Sequence, residues 1–296
     1  MRVLVTGWPS FEHGEATAGD VLGMTRVHAT LTGAGIAADL AWSPGFRPGE
    51  PGLAGFDPDR YTHLVFACGP AHGWQLRELH ERYARCLRIA VGVSVLDQED
   101  PAVTGFHRVL ARDDGVRARA DLSVAAPVRP VPVAGVVLAP RQPEFADLRR
   151  HDQVHTALTG WLSAQDCALL ELDTRLSGHE WRRCATPDQF AAVLSRVDVL
   201  ATSRLHGLVF ALGQGVPVLA VDPVAGGGKV TAQASVLGWP AVVGAGEAVL
   251  PGAFDRLWRW CLSAEGRAAA QRRRHGHPTP GLLAELVRRV GDRDAA

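Results

Sequence analysis

The stretch Ala201–Pro223, ATSRLHGLVFALGQGVPVLAVDP, decides how the chain is read. The strand pattern Asp198–Ala201 runs out at Thr202, and Ser203 stands where a helix N-cap belongs. Leu205, Leu208, Val209 and Leu212 then recur at helical spacing and predict a helix with one face on a core. Gly213 and Gly215 end that helix, and Pro217–Val221 resumes as a buried strand. Strand, helix and strand joined this tightly make a parallel α/β unit. Arg204 and His206 fall in the first helical turn, at the carboxyl end of a parallel strand, the edge where open α/β sheets bind ligands. Free backbone N–H groups and the helix dipole favour an anion there. A planar guanidinium beside them grips phosphate or carboxylate through two bonds. The purely structural reading of the same pattern puts Arg204 in an ion pair and His206 on a rim.

The same alternation extends outward in both directions. In the first half, strands are predicted at Val3–Thr6, Ala37–Trp42, His63–Cys68 and Leu87–Val93, with helices near Ala18–Thr32 and Trp74–Cys86. Residues from about Ala118 to Pro132 lose periodicity and read as a linker between a domain at 1–130 and a second at 131–296. The second domain restarts with the apolar run Val133–Ala139, suited to a strand buried on both faces. A helix at Asp152–Ala164 and a strand at Ala168–Leu172 follow. Thr186-Pro-Asp-Gln189 forms a capping box that opens a helix to about Arg196. Gly252–Arg274 and Leu282–Arg289 read as C-terminal helices, with Arg272–Arg274 on a solvated face.

Composition narrows the function. Lysine plus arginine and aspartate plus glutamate are equal at 31 each, so net charge makes no case for nucleic acid or an anionic membrane as partner. Asn is absent, Ile occurs only at Ile36 and Ile89, and Lys229 is the only lysine; codon bias in a GC-rich genome accounts for this blandly. Without Asn there is no N-glycosylation site. Five dispersed cysteines (Cys68, Cys86, Cys167, Cys184, Cys261) with no CxxC pair read as reduced thiols. No run approaches the ~18 apolar residues that span a bilayer, and no secretory h-region is visible. A cytoplasmic protein with no integral membrane segment is expected.

Two glycine patterns imitate nucleotide sites. Gly33-Ala-Gly35 follows a helix and precedes a strand, the reverse of a dinucleotide fingerprint, so it is a helix C-cap. Gly226-Gly-Gly-Lys229 lacks the first glycine and the Ser/Thr of a P-loop, which are Pro223 and Val230 here.

Ser203-Arg-Leu-His206-Gly-Leu, followed by Gly215-Val-Pro217-Val-Leu, resembles the signature of polysaccharide pyruvyl transferases. The resemblance is specific over Thr186–Lys229 and implies two Rossmann-like domains with parallel sheets in a glycosyltransferase-B-like arrangement. It also implies transfer of the pyruvyl group of phosphoenolpyruvate onto paired hydroxyls of a sugar, glycan or small natural product, giving a ketal. On this basis the donor side comprises Ser203, Arg204, His206, Arg141 and Lys229, and the acceptor side Gly19, Asp20, Gly69 and His72. The asparagine usual in the N-terminal loop is missing, and the glycine triplet after the third strand is reduced to Cys68-Gly69-Pro70.

The residue chemistry runs in the same direction. Phosphoenolpyruvate, a co-substrate with no further cofactor or metal expected, carries two acidic groups and needs several fixed cations. Arg204, Arg141 and Lys229 would supply them, with Gly226–Gly228 leaving the lysine's loop free to close. Protonating the donor methylene carbon calls for an acid that titrates near neutrality, and His206 is the candidate. Asp20, His13, Glu15 and His72 are the candidate bases for the acceptor hydroxyl. The alternatives are a nucleotide-sugar glycosyltransferase of the same architecture, for which no ribose-binding carboxylate is evident, and a non-enzymatic anion-binding relative.

Overall fold

The computed structural model describes residues 1–140, 142–274 and 280–291. The chain divides into two compact units, Met1–Arg129 and Pro130–Ala296. Each unit, among the described residues, carries one five-stranded, all-parallel sheet with helices, an α/β architecture as expected.

In the first unit the strands are β1 (Arg2–Thr6), β2 (Ala37–Leu40), β3 (His63–Ala67), β4 (Leu87–Val91) and β5 (Arg108–Leu110), ordered β2-β1-β3-β4-β5. Helices α1 (Ala18–Gly33), α2 (Trp74–Arg82) and α3 (Pro101–Thr104) connect them. The Thr17 hydroxyl caps α1 by accepting from Asp20 N–H at 3.2 Å. The helix ends in paired reverse bonds, Gly35 N–H to Thr32 O and Ile36 N–H to Leu31 O, with Gly35 at φ +76°. The first glycine pattern is therefore a C-cap, as its position in the sequence requires.

In the second unit β6 (Val133–Val137), β7 (Ala168–Glu171), β8 (Val199–Thr202), β9 (Val218–Val221) and β10 (Val242–Val243) follow the order β10-β9-β8-β6-β7. The helices are α4 (His151–Ser163), α5 (Pro187–Leu194), α6 (Leu205–Gly213), α7 (Lys229–Val236), α8 (Asp255–Leu262), α9 (Ala264–Arg273) and α10 (Pro280–Gly291). Both β8 and β9 are buried throughout, which is why they read as unbroken apolar runs. The edge strand β7 is exposed along its whole length. Leu158, Leu162, Leu194, Leu200, Leu208 and Leu212 make up much of the unit's core. Among the described residues no helix is long and apolar enough to cross a membrane.

Both sheets share the order second-first-third-fourth-fifth. Connections from the first and third strands leave in opposite directions, which opens a crevice at their carboxyl ends. In the second unit that crevice lies where the chain leaves β6 and β8.

The stretch read as a linker carries local structure: Leu122–Ala125 forms a 3-10 turn, Arg26 donates to Leu122 O at 2.7 Å, and Arg112 pairs with Asp121 at 2.8 Å. Leu122 also packs beside Met24, Trp42 and Cys68. Strand β5, helix α3 and strand β10 are too short to show periodicity. Lys229 does not sit in a free glycine loop; it is the first residue of α7. Gly226 (φ +80°) and Gly227 (φ +91°) occupy left-handed backbone, so those glycines serve a fixed turn.

Candidate active site in the second unit

The Asp222 carboxylate at the end of β9 organises one wall of the crevice. It is fully buried and accepts four hydrogen bonds, from the N–H groups of Val224 (3.1 Å), Gly228 (2.7 Å) and Thr231 (2.8 Å) and from the Thr231 hydroxyl (2.8 Å). These bonds fold the loop back and start α7 at Lys229, in place of a side-chain cap next to the helix. The segment before α4 braces the same loop, with Arg150 N–H to Pro223 O and Ala225 N–H to Leu148 O, both 2.8 Å. Glu144 Oε1 lies 3.8 Å from Lys229 Nζ, which also sits 5.8 Å from the centre of the Phe145 ring.

The opposite wall is the β8–α6 turn, and here the cap assignment shifts by one residue. Arg204, with extended backbone, is the N-cap of α6, and Ser203 lies before it. The reason is Thr202, whose buried hydroxyl accepts from Arg204 N–H at 3.0 Å and donates to Val137 O at 2.8 Å. That frees Ser203 Oγ to face the other way, accepting Ala139 N–H at 2.9 Å and lying 2.8 Å from His155 Nε2. No side chain among the described residues caps α6, so its first-turn N–H groups stay available to an anion. His206, in that turn, is exposed and lies against Phe210 at a ring separation of 6.4 Å.

These walls enclose a cavity of about 310 Å³ lined by Ser203, Arg204, His206, Lys229 and Gln142, with Ala139, Pro140 and Leu205 as its apolar part. Four residues that the sequence singled out as donor-binding are thus brought together. The fifth, Arg141, lies outside the described residues. A second cavity, of about 540 Å³, shares Ala139 and Pro140 and reaches Asp173 and Arg175.

Asp173, just past β7, was not anticipated. Its carboxylate accepts from Arg204 Nη1 at 3.0 Å and from Arg175 Nη2 at 2.6 Å, with Arg183 Nε at 3.7 Å. Burial alone would raise its pKa, but the bonds from Arg175 and the charge of Arg204 outweigh that and hold the carboxyl below its ordinary value. Arg204 is therefore both an ion-pair partner, the structural reading of its motif, and a cleft residue. Nothing periodic marks Asp173 in the sequence. His151 and His155, by contrast, carried a legible signal: they lie one turn apart on α4 and meet Gln142 and Ser203 respectively. Burial, reinforced by nearby His151, lowers the His155 pKa to about 4. Among the described residues, no group of three His, Cys, Asp or Glu side chains is arranged to hold a metal ion.

The acceptor-side candidates all belong to the first unit. Asp20 accepts a hydrogen bond from the Thr17 hydroxyl at 2.7 Å, and Gly19 begins the same helical turn. Gly69 (φ +67°) gives its open face to Trp8: a Cβ there would lie 2.2 Å from the indole. Trp8 Nε1 donates to Pro70 O at 3.2 Å, and its ring is 6.0 Å from that of the exposed His72. His13 lines a separate cavity of about 450 Å³ with Trp74, Gln75 and Glu78.

The chain shares 14% identity with the calicheamicin glycosyltransferase CalG4, with a TM-score of 0.35, covering 100% of this chain and 99% of that one. Spinosyn rhamnosyltransferase SpnG complexed with thymidine diphosphate aligns at 13% identity and TM-score 0.34, covering 98% and 100%. The heptosyltransferase WaaC of E. coli with ADP aligns at 14% identity and TM-score 0.27, covering 88% and 98%. No curated protein matches the chain. A family model does match, and its span contains Asp173, His155, Ser203, Arg204 and His206: over residues 146–223 this chain is similar to the polysaccharide pyruvyl transferases.

Proposed function

We propose that the chain transfers the pyruvyl group of phosphoenolpyruvate to a pair of hydroxyls on a sugar or related acceptor. The observation that carries this reading is the crevice at the ends of β6 and β8. There Arg204, Lys229 and the uncapped start of α6 offer positive charge to one small anion beside His206. Phosphoenolpyruvate has a phosphate and a carboxylate for those groups to hold. His206 is the proposed acid that protonates the donor methylene carbon as an acceptor hydroxyl attacks the neighbouring carbon. The second hydroxyl then displaces phosphate. One of the two hydroxyl protons balances the proton taken up at carbon and the other leaves with hydrogen phosphate. The acceptor side is proposed in the first unit, where His13, Glu15 and His72 among the candidate bases are exposed and Asp20 is half-buried.

The test is incubation with phosphoenolpyruvate and a panel of sugar acceptors, following released phosphate and a new ketal methyl signal by NMR. In deuterated water that methyl should carry one deuterium. Absence of phosphate release and of phosphoenolpyruvate binding, with a nucleotide sugar bound instead, would overturn the proposal in favour of glycosyl transfer.

A further inference from the structure

Ser203 is 1% exposed, yet it lines the cleft, and its hydroxyl is engaged from behind by two groups. Ala139 N–H occupies one lone pair of Oγ at 2.9 Å, and His155 Nε2 lies 2.8 Å away. A hydroxyl has two acceptor sites and one proton. If that proton went to His155, the group left facing the cleft would be a lone pair, which repels an anion. If Nε2–H donates instead, both lone pairs are used and the hydroxyl proton is left for the cleft. We infer that His155 is a positioning residue that donates to Ser203 and thereby turns the serine hydroxyl into an anion-facing donor.

The neighbouring histidine supports this polarity. His151, one turn earlier on α4, has Nε2 3.3 Å from Gln142 Oε1, an acceptor, while its Nδ1 is buried without a partner among the described residues. That arrangement suits a proton on Nε2 and a bare Nδ1. The two imidazoles, with ring centres 5.7 Å apart, thus stand side by side behind the cleft, each touching a residue that lines it. Burial keeps His155 neutral across the physiological range, so the position of its single ring proton fixes the polarity of the bond. The inference rests on the proposed function only in taking the ligand of the cleft to be an anion.

Dissociation constants for phosphoenolpyruvate and for inorganic phosphate, measured by calorimetry on the full chain, test it. His155→Leu and Ser203→Ala should each weaken binding about tenfold, the scale of one hydrogen bond to a charged group. The double variant should be no weaker than Ser203→Ala alone, because His155 acts through the serine. His155→Gln, which restores an N–H near the Nε2 position, should recover most of the affinity. Nitrogen-15 NMR of the unliganded protein should show His155 protonated on Nε2. Wild-type affinity in His155→Leu, a further tenfold loss in the Ser203→Ala background, or a proton on Nδ1 would each overturn the inference. The full variant pattern with phosphate but no binding of phosphoenolpyruvate would overturn the proposed function alone. Failure of the wild-type protein to bind either anion would overturn both.

Discussion

Gly207, in the first turn of α6, holds the site together by having no side chain, and Gly207→Ala should be destabilising although alanine is the better helix former. A Cβ at position 207 would lie 2.4 Å from Thr202 Oγ1 and 3.1 Å from Thr202 Cβ, the first about 1 Å short of ordinary contact. Thr202 is fully buried, and its hydroxyl bridges Val137 O on β6 to Arg204 N–H at the helix start, so it has nowhere to retreat without breaking a bond. Overpacking of this kind costs ~1–3 kcal/mol, and a lost hydrogen bond adds ~1 kcal/mol. The helical preference of alanine returns ~1 kcal/mol. The net is a loss of about 2 kcal/mol, or about 4–8 °C in the melting transition of a unit of this size. Gly213 at the other end of the same helix provides the internal control, since nothing among the described residues lies within 4 Å of its Cβ position. Gly213→Ala should be neutral or stabilising. Differential scanning calorimetry on both variants decides the matter. A Gly207→Ala protein as stable as Gly213→Ala would refute the close-approach reasoning, and with it the account of what seats Arg204.

Arg204→Lys keeps the charge but loses the planar fork that spans Asp173 and the cleft, so phosphoenolpyruvate binding measured by calorimetry should weaken at least ~10-fold. His206→Ala should lower kcat by ~10²–10⁴-fold in a phosphate-release assay while donor binding survives in part. The Asp173 carboxyl is held below its ordinary value, so its contribution to stability is present above the usual carboxylate range and fades as pH falls through the lowered value. Asp173→Asn should therefore flatten the acid side of a stability–pH curve from denaturant titrations; an unchanged acid side would show that the three-arginine cluster does not stabilise the unit.

The strand–helix–strand pattern was legible because β8 and β9 are buried on both faces and α6 has one apolar stripe, features that local sequence records directly. Strand order was not, because pairing such as Ala134 with Val199 joins residues far apart in the chain and leaves no periodic trace. Ser203 was displaced from its expected cap because the Thr202 hydroxyl holds Arg204 N–H while reaching Val137 O, so the helix starts one residue later, with Arg204 at the cap position and no side-chain cap. The helix at Lys229 was hidden behind three glycines because its start depends on Asp222, six residues before Gly228. Arg204 and His206 were readable from their place after a strand. Asp173 was not, since its role exists only once β7 has brought it beside Arg204.

The single lysine has a practical consequence in labelling chemistry. Lys229 carries the only ε-amine in 296 residues, and its side chain is 45% exposed on the cleft wall. An acylating reagent that modifies many side chains on most proteins has one ε-amine to find here besides the α-amino group, so peptide mapping separates a tag on the cleft wall from one on the α-amine without engineering. The degree of acylation, read by mass spectrometry with and without an added anion, becomes a footprint of cleft occupancy that requires no turnover and no knowledge of the acceptor.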